Sequence, residues 1–200
     1  AACLNDTTPS VVVAACRAIA ECSGTSCGPS TVGKLADLLR SRQPPVRAAA
    51  LGGLSHMGEE ATNFLEEIVK LLRDQVGLVR VQAINAVAMC GETGQMYASE
   101  VCRMMEDEEP SVRAAAVSAL PQMGVRGAAF AEEAAWLLED PAPEVRAAAV
   151  RAVGAMGSRT CKEAIRSMAQ WDLSSEVQEA AKEAFAKLSK IKGAPAIMAA

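Results

Sequence analysis

The most constraining feature of this sequence is a 15-residue pattern that occurs six times along the chain. Its clearest copies are PSVRAAAVSALPQMG at 110–124 and PEVRAAAVRAVGAMG at 143–157, and weaker copies stand at 9–23 and 175–189. A period of about 33 residues is the signature of a repeat architecture, in which each unit contacts only its neighbours. The first shared valine recurs at steps of 35, 33, 33, 33 and 32 residues: Val11, Val46, Val79, Val112, Val145 and Val177.

Each copy has the apolar spacing of an α-helix. Val145, Ala149 and Val153 recur every four residues and form one stripe along a 3.6-residue period. The pattern predicts helices over 10–22, 45–57, 78–90, 111–123, 144–156 and 176–188, with a bend at Pro121, because proline lacks the N–H that a helix interior needs. The segments between the copies, such as 61–74 and 128–140, predict one further helix in each repeat. Glycines that accept a left-handed conformation end four copies: Gly58, Gly91, Gly124 and Gly157.

The composition agrees with closely packed helices. Apolar residues make up 50% of the chain but aromatic residues only 3%, and 40 residues are alanine, the strongest helix former. The 20 basic and 24 acidic residues give a net charge of -4, which argues against a basic nucleic-acid-binding protein. We find no apolar run near the roughly 18 residues that a membrane span needs.

Two helices per unit, an Asp-x-x-Pro-x-Val-Arg turn and an Ala-Ala-x-x-Ala-Leu second helix closely resemble the HEAT repeat family, in its short armadillo-type variety. The resemblance implies an all-α, right-handed superhelix of about five helix pairs, with the second helices on the concave side. It covers an array over 1–189, followed by a tail at 190–200. We expect residues 1–6 to be the last turn of a first helix, so that the sequence begins within a repeat, and 174–189 to be a polar cap.

Charged residues recur at two positions of the repeat. In the middle copies an aspartate stands five residues before the shared valine, and an arginine stands one residue after it. Ser41 replaces one aspartate, and Val12 and Gln178 replace two arginines. We expect each arginine to bridge the aspartate of its own repeat and that of a neighbouring repeat through its planar set of donors. The alternative, a row of arginines that binds phosphate groups, is disfavoured by the periodic aspartates. The residues of this Asp/Arg ladder are Arg47, Asp74, Arg80, Asp107, Arg113, Asp140 and Arg146.

Cysteine and histidine residues give little indication of chemistry. Seven cysteines and one histidine include no Cys-x-x-Cys pair, so the sequence predicts no metal site and no cofactor. Cys16, Cys90 and Cys102 stand at positions that are apolar in other copies, which favours a buried structural role. Cys22 and Cys27 bracket a Gly/Ser-rich loop and are close enough in sequence for a disulfide, whereas the odd number of cysteines favours a reducing intracellular compartment.

The absence of a recognisable catalytic constellation favours a non-catalytic scaffold or assembly subunit that binds other proteins. Short, mostly uncharged side chains on the inner side of the second helices predict a shallow groove for a partner helix or an extended segment. Phycobilin lyases use similar short repeats, so a chromophore-attachment or protein-modification factor is the alternative. The predicted partner-binding residues are His56, Val81, Asn85, Met89, Ala114, Ser118, Gln122 and Arg151.

Overall fold

The computed structural model describes residues 2–21 and 29–190, and within these ranges all regular secondary structure is helical. This confirms the predicted all-α repeat solenoid. In chain order the α-helices are α1 (Pro9–Glu21), α2 (Pro29–Leu38), α3 (Pro44–Ser55), α4 (Leu65–Lys70), α5 (Gly77–Met89), α6 (Gly91–Gln95), α7 (Ala98–Arg103), α8 (Pro110–Ala119), α9 (Gly124–Ala128), α10 (Ala131–Trp136), α11 (Pro143–Met156), α12 (Lys162–Trp171) and α13 (Ser175–Lys190).

The second helices of the repeats are α1, α3, α5, α8, α11 and α13, and they pack side by side in chain order. Each begins one residue before its predicted start. Helix α8 ends at Ala119, four residues before its predicted end, and Leu120–Met123 form a 3₁₀ turn; Pro121 therefore ends the α-helix, where the sequence predicted a bend within it. The last helix continues to Lys190, one residue beyond the predicted end of the array, and the remainder of the predicted tail, 191–200, lies outside the described residues.

The first helices are more broken than the sequence predicts. The segment 61–74, predicted as one helix, contains the 3₁₀ stretch Gly58–Phe64, then α4, then the 3₁₀ turn Leu71–Arg73. In the next repeat the break follows Gly94, whose backbone lies directly against the carbonyl oxygen of Val87 at the end of α5. This close approach of two backbones fixes the first turn of the unit separately from the helix that follows it. The other 3₁₀ segments are Ala2–Asn5, Met104–Glu106 and Leu137–Glu139.

Glycine allows the sharp turn at the end of four second helices. Gly157 follows α11 in the left-handed conformation, with φ of 73°, and its N–H donates to the carbonyl of Val153. Gly124 has φ of 58° and ψ of -142°, a combination that a side chain would oppose. The four glycines predicted to end the copies all have positive φ.

One hydrophobic core runs through the array. Val46, Val79 and Val112 are buried between a second helix and the first helix that precedes it. The equivalent Val11 is 38% exposed, because only the 3₁₀ turn Ala2–Asn5 packs against α1 from that side. At the other end, the exposed ion pair of Lys182 with Glu179 makes the outer face of α13 polar.

Candidate functional site

The Asp/Arg ladder connects consecutive repeats through paired hydrogen bonds. Arg113 donates from Nε and Nη2 to the two carboxylate oxygens of Asp140 in the next repeat, at 2.8 and 2.9 Å. Its Nη1 donates to the backbone carbonyl of Asp107 in its own repeat, at 2.9 Å. Arg47 and Arg146 repeat this arrangement, with Asp74 and Asp172 as the acceptors in the next repeat.

The aspartate that lies in the same repeat as a ladder arginine has a different role from the one predicted. Its carboxylate does not bridge to the arginine of its own repeat, which binds its backbone carbonyl instead. Asp140 Oδ1 accepts the N–H of Ala142 at 2.9 Å, and Asp107 Oδ1 accepts the N–H of Glu109 at 3.0 Å. This bond to the residue two positions later shapes the turn that leads into the second helix, so the carboxylate is positioned to receive the arginine of the previous repeat.

Two members of the ladder depart from the common geometry. Arg80 reaches Asp107 Oδ1 only through Nη2, at 2.7 Å, and Glu109 lies 3.5 Å from the same nitrogen. The Nε of Arg80 is buried and has no hydrogen-bond partner among the described residues. In the last repeat Gln178 stands in place of the arginine and keeps the backbone contact, donating to the carbonyl of Asp172 at 2.8 Å.

The side chains of Asp74, Asp140 and Asp172 are largely buried, and their arginine partners favour the ionised form. Hydrogen bonds from Arg146 are the main cause that lowers the pKa of Asp172 below its usual value. Burial by itself raises the pKa of Asp74 and of Asp140, but hydrogen bonds from Arg47 and Arg113, together with backbone N–H groups, outweigh it and lower both values. Both carboxylate oxygens of these aspartates are hydrogen-bonded within the protein, which supports a structural role for the ladder.

We therefore expect the ladder to lose its stabilising effect in acid. Because the pKa values of Asp74, Asp140 and Asp172 are lower in the folded than in the unfolded chain, their contribution is fully present above the ordinary value of 3.8. It is lost as the pH falls through the lower folded values. Urea unfolding between pH 7 and pH 2 measures this dependence. Asp172→Asn should lower stability at pH 7 and flatten the acid decline; an unchanged decline in this variant would contradict the prediction.

A groove lies across the second helices of the first three described repeats. It has a volume of about 730 Å³ and is open on one side. Helices α1 and α5 form its walls, and α3 forms its floor. Its lining residues are Val13, Cys16, Arg17, Ala20, Pro45, Ala48, Ala49, Gly52, Gly53, Ser55, His56, Leu78, Gln82, Asn85 and Met89.

The groove exists because α3 has no side chain at the repeat position whose side chain is exposed in the neighbouring second helices. Gly52 occupies the position held by Arg17 in α1 and by Asn85 in α5. A Cβ atom on Gly52 would meet only the Oε1 of Gln82, at an ordinary 3.5 Å, so there is space above this residue. The floor is completed by Ala48 and Ala49, whose side chains are equally short.

The structure brings three of the predicted partner-binding residues together in the groove, namely His56, Asn85 and Met89. Ser118, Gln122 and Arg151 are exposed but lie outside its lining, and Arg151 pairs with Glu176 at 2.9 Å. Val81 and Ala114 are half-buried and pack against the core, because they point toward the neighbouring second helix.

Four important lining residues were not among those predicted from the sequence: Arg17, Gly52, Leu78 and Gln82. The break in periodicity at Gly52 was a usable signal, because every other copy has a side chain at that position. The exposure of Leu78, at 56%, gave no sequence signal, since leucine at a helix start is equally compatible with burial.

Three of the described cysteines, Cys16, Cys90 and Cys102, are poor nucleophiles. Burial raises the pKa of Cys16 and of Cys90 to about 11, and burial together with the charges of Glu133 and Glu106 raises that of Cys102 to about 11. At neutral pH these thiols stay protonated, and the protonated form is unreactive. The disulfide considered between Cys22 and Cys27 falls on residues outside the described ranges.

The described residues contain neither a cluster of metal-ligating side chains nor a membrane-spanning helix. Within 2–21 and 29–190, no group of three or more His, Cys, Asp or Glu side chains is arranged to hold a metal ion. Among the same residues, no helix combines the length and the apolar character that crossing a bilayer requires.

Solved structures with a similar fold are repeat proteins of low sequence identity. An engineered protein is 20% identical, with a TM-score of 0.66 over 94% of each chain. A designed armadillo repeat protein in complex with the peptide (KR)4 is 19% identical, with a TM-score of 0.60 over 92% of this chain and 96% of that one. The complex of CpcE and CpcF of phycocyanin lyase from Nostoc sp. PCC7120 is 17% identical, with a TM-score of 0.57 over 94% of this chain and 80% of that one.

No curated protein matches the whole sequence significantly. A family model described as HEAT repeats matches residues 1–88 and 131–200, and a second model, described as HEAT repeat, matches 99–124. These matches cover most of the chain and agree with the periodic helix pairs and with the ladder between them. The chain therefore belongs to the HEAT repeat family.

Proposed function

We propose that this protein is a non-catalytic interaction scaffold that binds a segment of a partner protein in the groove over Gly52. The observation that supports this most directly is the groove itself, an open depression of about 730 Å³ formed where one repeat lacks a side chain. A concave, largely apolar surface with a few polar groups is the usual form of a binding site.

The residues that line the groove favour the binding free energy of a peptide. Leu78 is 56% exposed and Met89 is 49% exposed, so a partner gains free energy by covering them. Ala48, Ala49 and Gly52 have almost no side-chain freedom to lose, and they allow the partner backbone to approach closely. Gln82, Asn85 and His56 add polar groups that can orient the bound segment.

Chromophore attachment is the weaker proposal. The similarity to the phycocyanin lyase complex, at 17% identity, concerns the fold alone. The one cysteine that lines the groove, Cys16, is buried and has a raised pKa, which opposes attack on a chromophore by its thiol. An absorption band of a bound tetrapyrrole in the purified protein, after mixing with free bilin, would favour this alternative over the scaffold.

Filling the groove is expected to weaken peptide binding without unfolding the protein. The test begins with octapeptides selected from a random library on the immobilised protein, whose affinities are then measured by fluorescence anisotropy. Gly52→Leu places a side chain in the open space above α3, and we expect affinity to fall about tenfold or more, which corresponds to about 1.4 kcal/mol.

Two control variants separate the groove from the rest of the surface. Gly33→Leu makes the same change at a helical glycine with open space around it, and Gly33 does not line the groove. Ser118→Glu adds a charge to an exposed residue of another second helix, outside the groove lining. Both should bind the peptides within about twofold of the wild type. If Gly52→Leu bound them equally well, the proposed site would be wrong.

A further inference from the structure

The ionisable groups of the groove have one sign of charge. Its lining includes Arg17 and His56 but no aspartate or glutamate. The only other titratable side chain in the lining is the buried thiol of Cys16, which stays neutral at pH 7. The chain as a whole has a net charge of -4, so the groove differs from the overall charge of the protein.

Arg17 is distinct from the arginines of the ladder. Each ladder arginine pairs with an aspartate of the next repeat, and Arg151, which occupies the same repeat position as Arg17, pairs with Glu176. Arg17 is exposed and forms no ion pair with another described residue. The segments outside the described ranges, 22–28 and 191–200, contain no aspartate or glutamate in their sequence. Glu21, one turn later on α1, is the acidic residue nearest to Arg17 along the chain, and the two form no ion pair in the structure.

Two carboxamides favour an extended ligand over a helical one. Gln82 and Asn85 are three residues apart and share one face of α5. Neither side chain has a hydrogen-bond partner among the described residues. A carboxamide both donates and accepts, as does the free peptide group of an extended segment, whereas a helix satisfies its backbone internally. The three helices span about 16–20 Å at ordinary packing distances, which matches about five or six extended residues.

We propose that the groove selects an extended, acidic peptide segment, with a carboxylate beside Arg17 and His56 and an apolar side chain against Leu78 and Met89. This inference rests on the proposed scaffold function, because it specifies the ligand of the same groove. It also separates this protein from its designed neighbour, which was solved in complex with the basic peptide (KR)4.

Charge reversal at Arg17 is the sharpest test. Octapeptides selected on the wild-type protein, and rejected by Gly52→Leu, should be enriched in aspartate and glutamate, and the peptide (KR)4 should not compete with them. We expect Arg17→Gln to weaken the acidic octapeptides about two- to fivefold, and Arg17→Glu about tenfold. Raising the ionic strength from 0.01 to 0.15 M should also weaken them, because the screening length falls from about 30 to 8 Å.

Arg151→Gln is the matched control, since it removes an arginine at the same repeat position outside the groove, and it should leave affinity unchanged. Groove-dependent peptides that are basic or neutral, or that ignore Arg17→Glu, would overturn the inference and leave the scaffold function standing. If no selected peptide depends on Gly52, the scaffold function in this groove is wrong and the inference fails with it.

Discussion

Replacing Arg113 by alanine is expected to lower the free energy of unfolding by about 2–4 kcal/mol, because it leaves a buried carboxylate without its partner. Only 5% of the Asp140 side chain is exposed, and both of its oxygens accept hydrogen bonds from Arg113. The same substitution removes a hydrogen bond to the carbonyl of Asp107. The free energy is measured by urea unfolding at pH 7, and circular dichroism verifies that the folded variant remains helical.

An exposed arginine gives the matched control for this prediction. Arg151 pairs with Glu176 of the next repeat, but 52% of its side chain is exposed. Arg151→Ala should therefore lower the free energy of unfolding by no more than about 0.5 kcal/mol. Arg113→Lys should fall between the two, because an ammonium group cannot make the paired bonds of a guanidinium group. If Arg113→Ala left unfolding unchanged and instead abolished peptide binding, the ladder would have to be reassigned from structure to function.

The distinction between these two arginines follows from where the repeat places them. Arg113 projects from the first turn of its helix toward the turn of the next repeat, where Asp140 is already oriented by the N–H of Ala142. Arg151 stands six residues after the shared valine, and its side chain is exposed on the surface of α11. The spacing of Asp and Arg in the sequence was therefore sufficient to predict which residues form the ladder, although not which atom of the aspartate each arginine would bind.

The repeat period also predicted the second helices to within two residues at most ends, because proline, the valine stripe and glycine agree there. The first helices were predicted less well. Their apolar spacing is helical, but the close contact of Gly94 with the end of α5 depends on the packing angle between two helices. That angle is a tertiary property: the recurrence of glycine at Gly94 and Gly127 marks the position of the contact but does not give the angle.

The sequence predicted that the second helices form a shallow groove, but it did not predict where along the array the groove lies. Short side chains on the second helices indicated a shallow surface along the whole array. The structure restricts the groove to α1, α3 and α5, where Gly52 removes the side chain between Arg17 and Asn85. In the later repeats Ser118 and Arg151 occupy the equivalent position. The absence of one side chain from the repeating surface of the second helices therefore locates the groove more sharply than the average composition of that surface does.

Gly127→Ala is expected to destabilise the protein by about 2–3 kcal/mol, because a Cβ atom there would overlap the backbone carbonyl of Leu120. Backbone cannot move aside as the end of a flexible side chain can, so α9 would have to shift away from the 3₁₀ turn that precedes it. Gly94 occupies the same position one repeat earlier and lies equally close to the carbonyl of Val87, so Gly94→Ala should have a similar effect.

Gly33→Ala is the control, and it should change stability in the opposite direction. Gly33 lies inside α2, and a Cβ atom there would have no neighbour within 4 Å, so alanine adds helix propensity without a clash. We expect a gain of up to about 1 kcal/mol. Urea unfolding of all three variants distinguishes the two cases. If Gly127→Ala were as stable as Gly33→Ala, the tight backbone contact would be wrong. Since that contact joins α6 to α5 and α9 to the end of α8, the packing angle between these repeats would need revision.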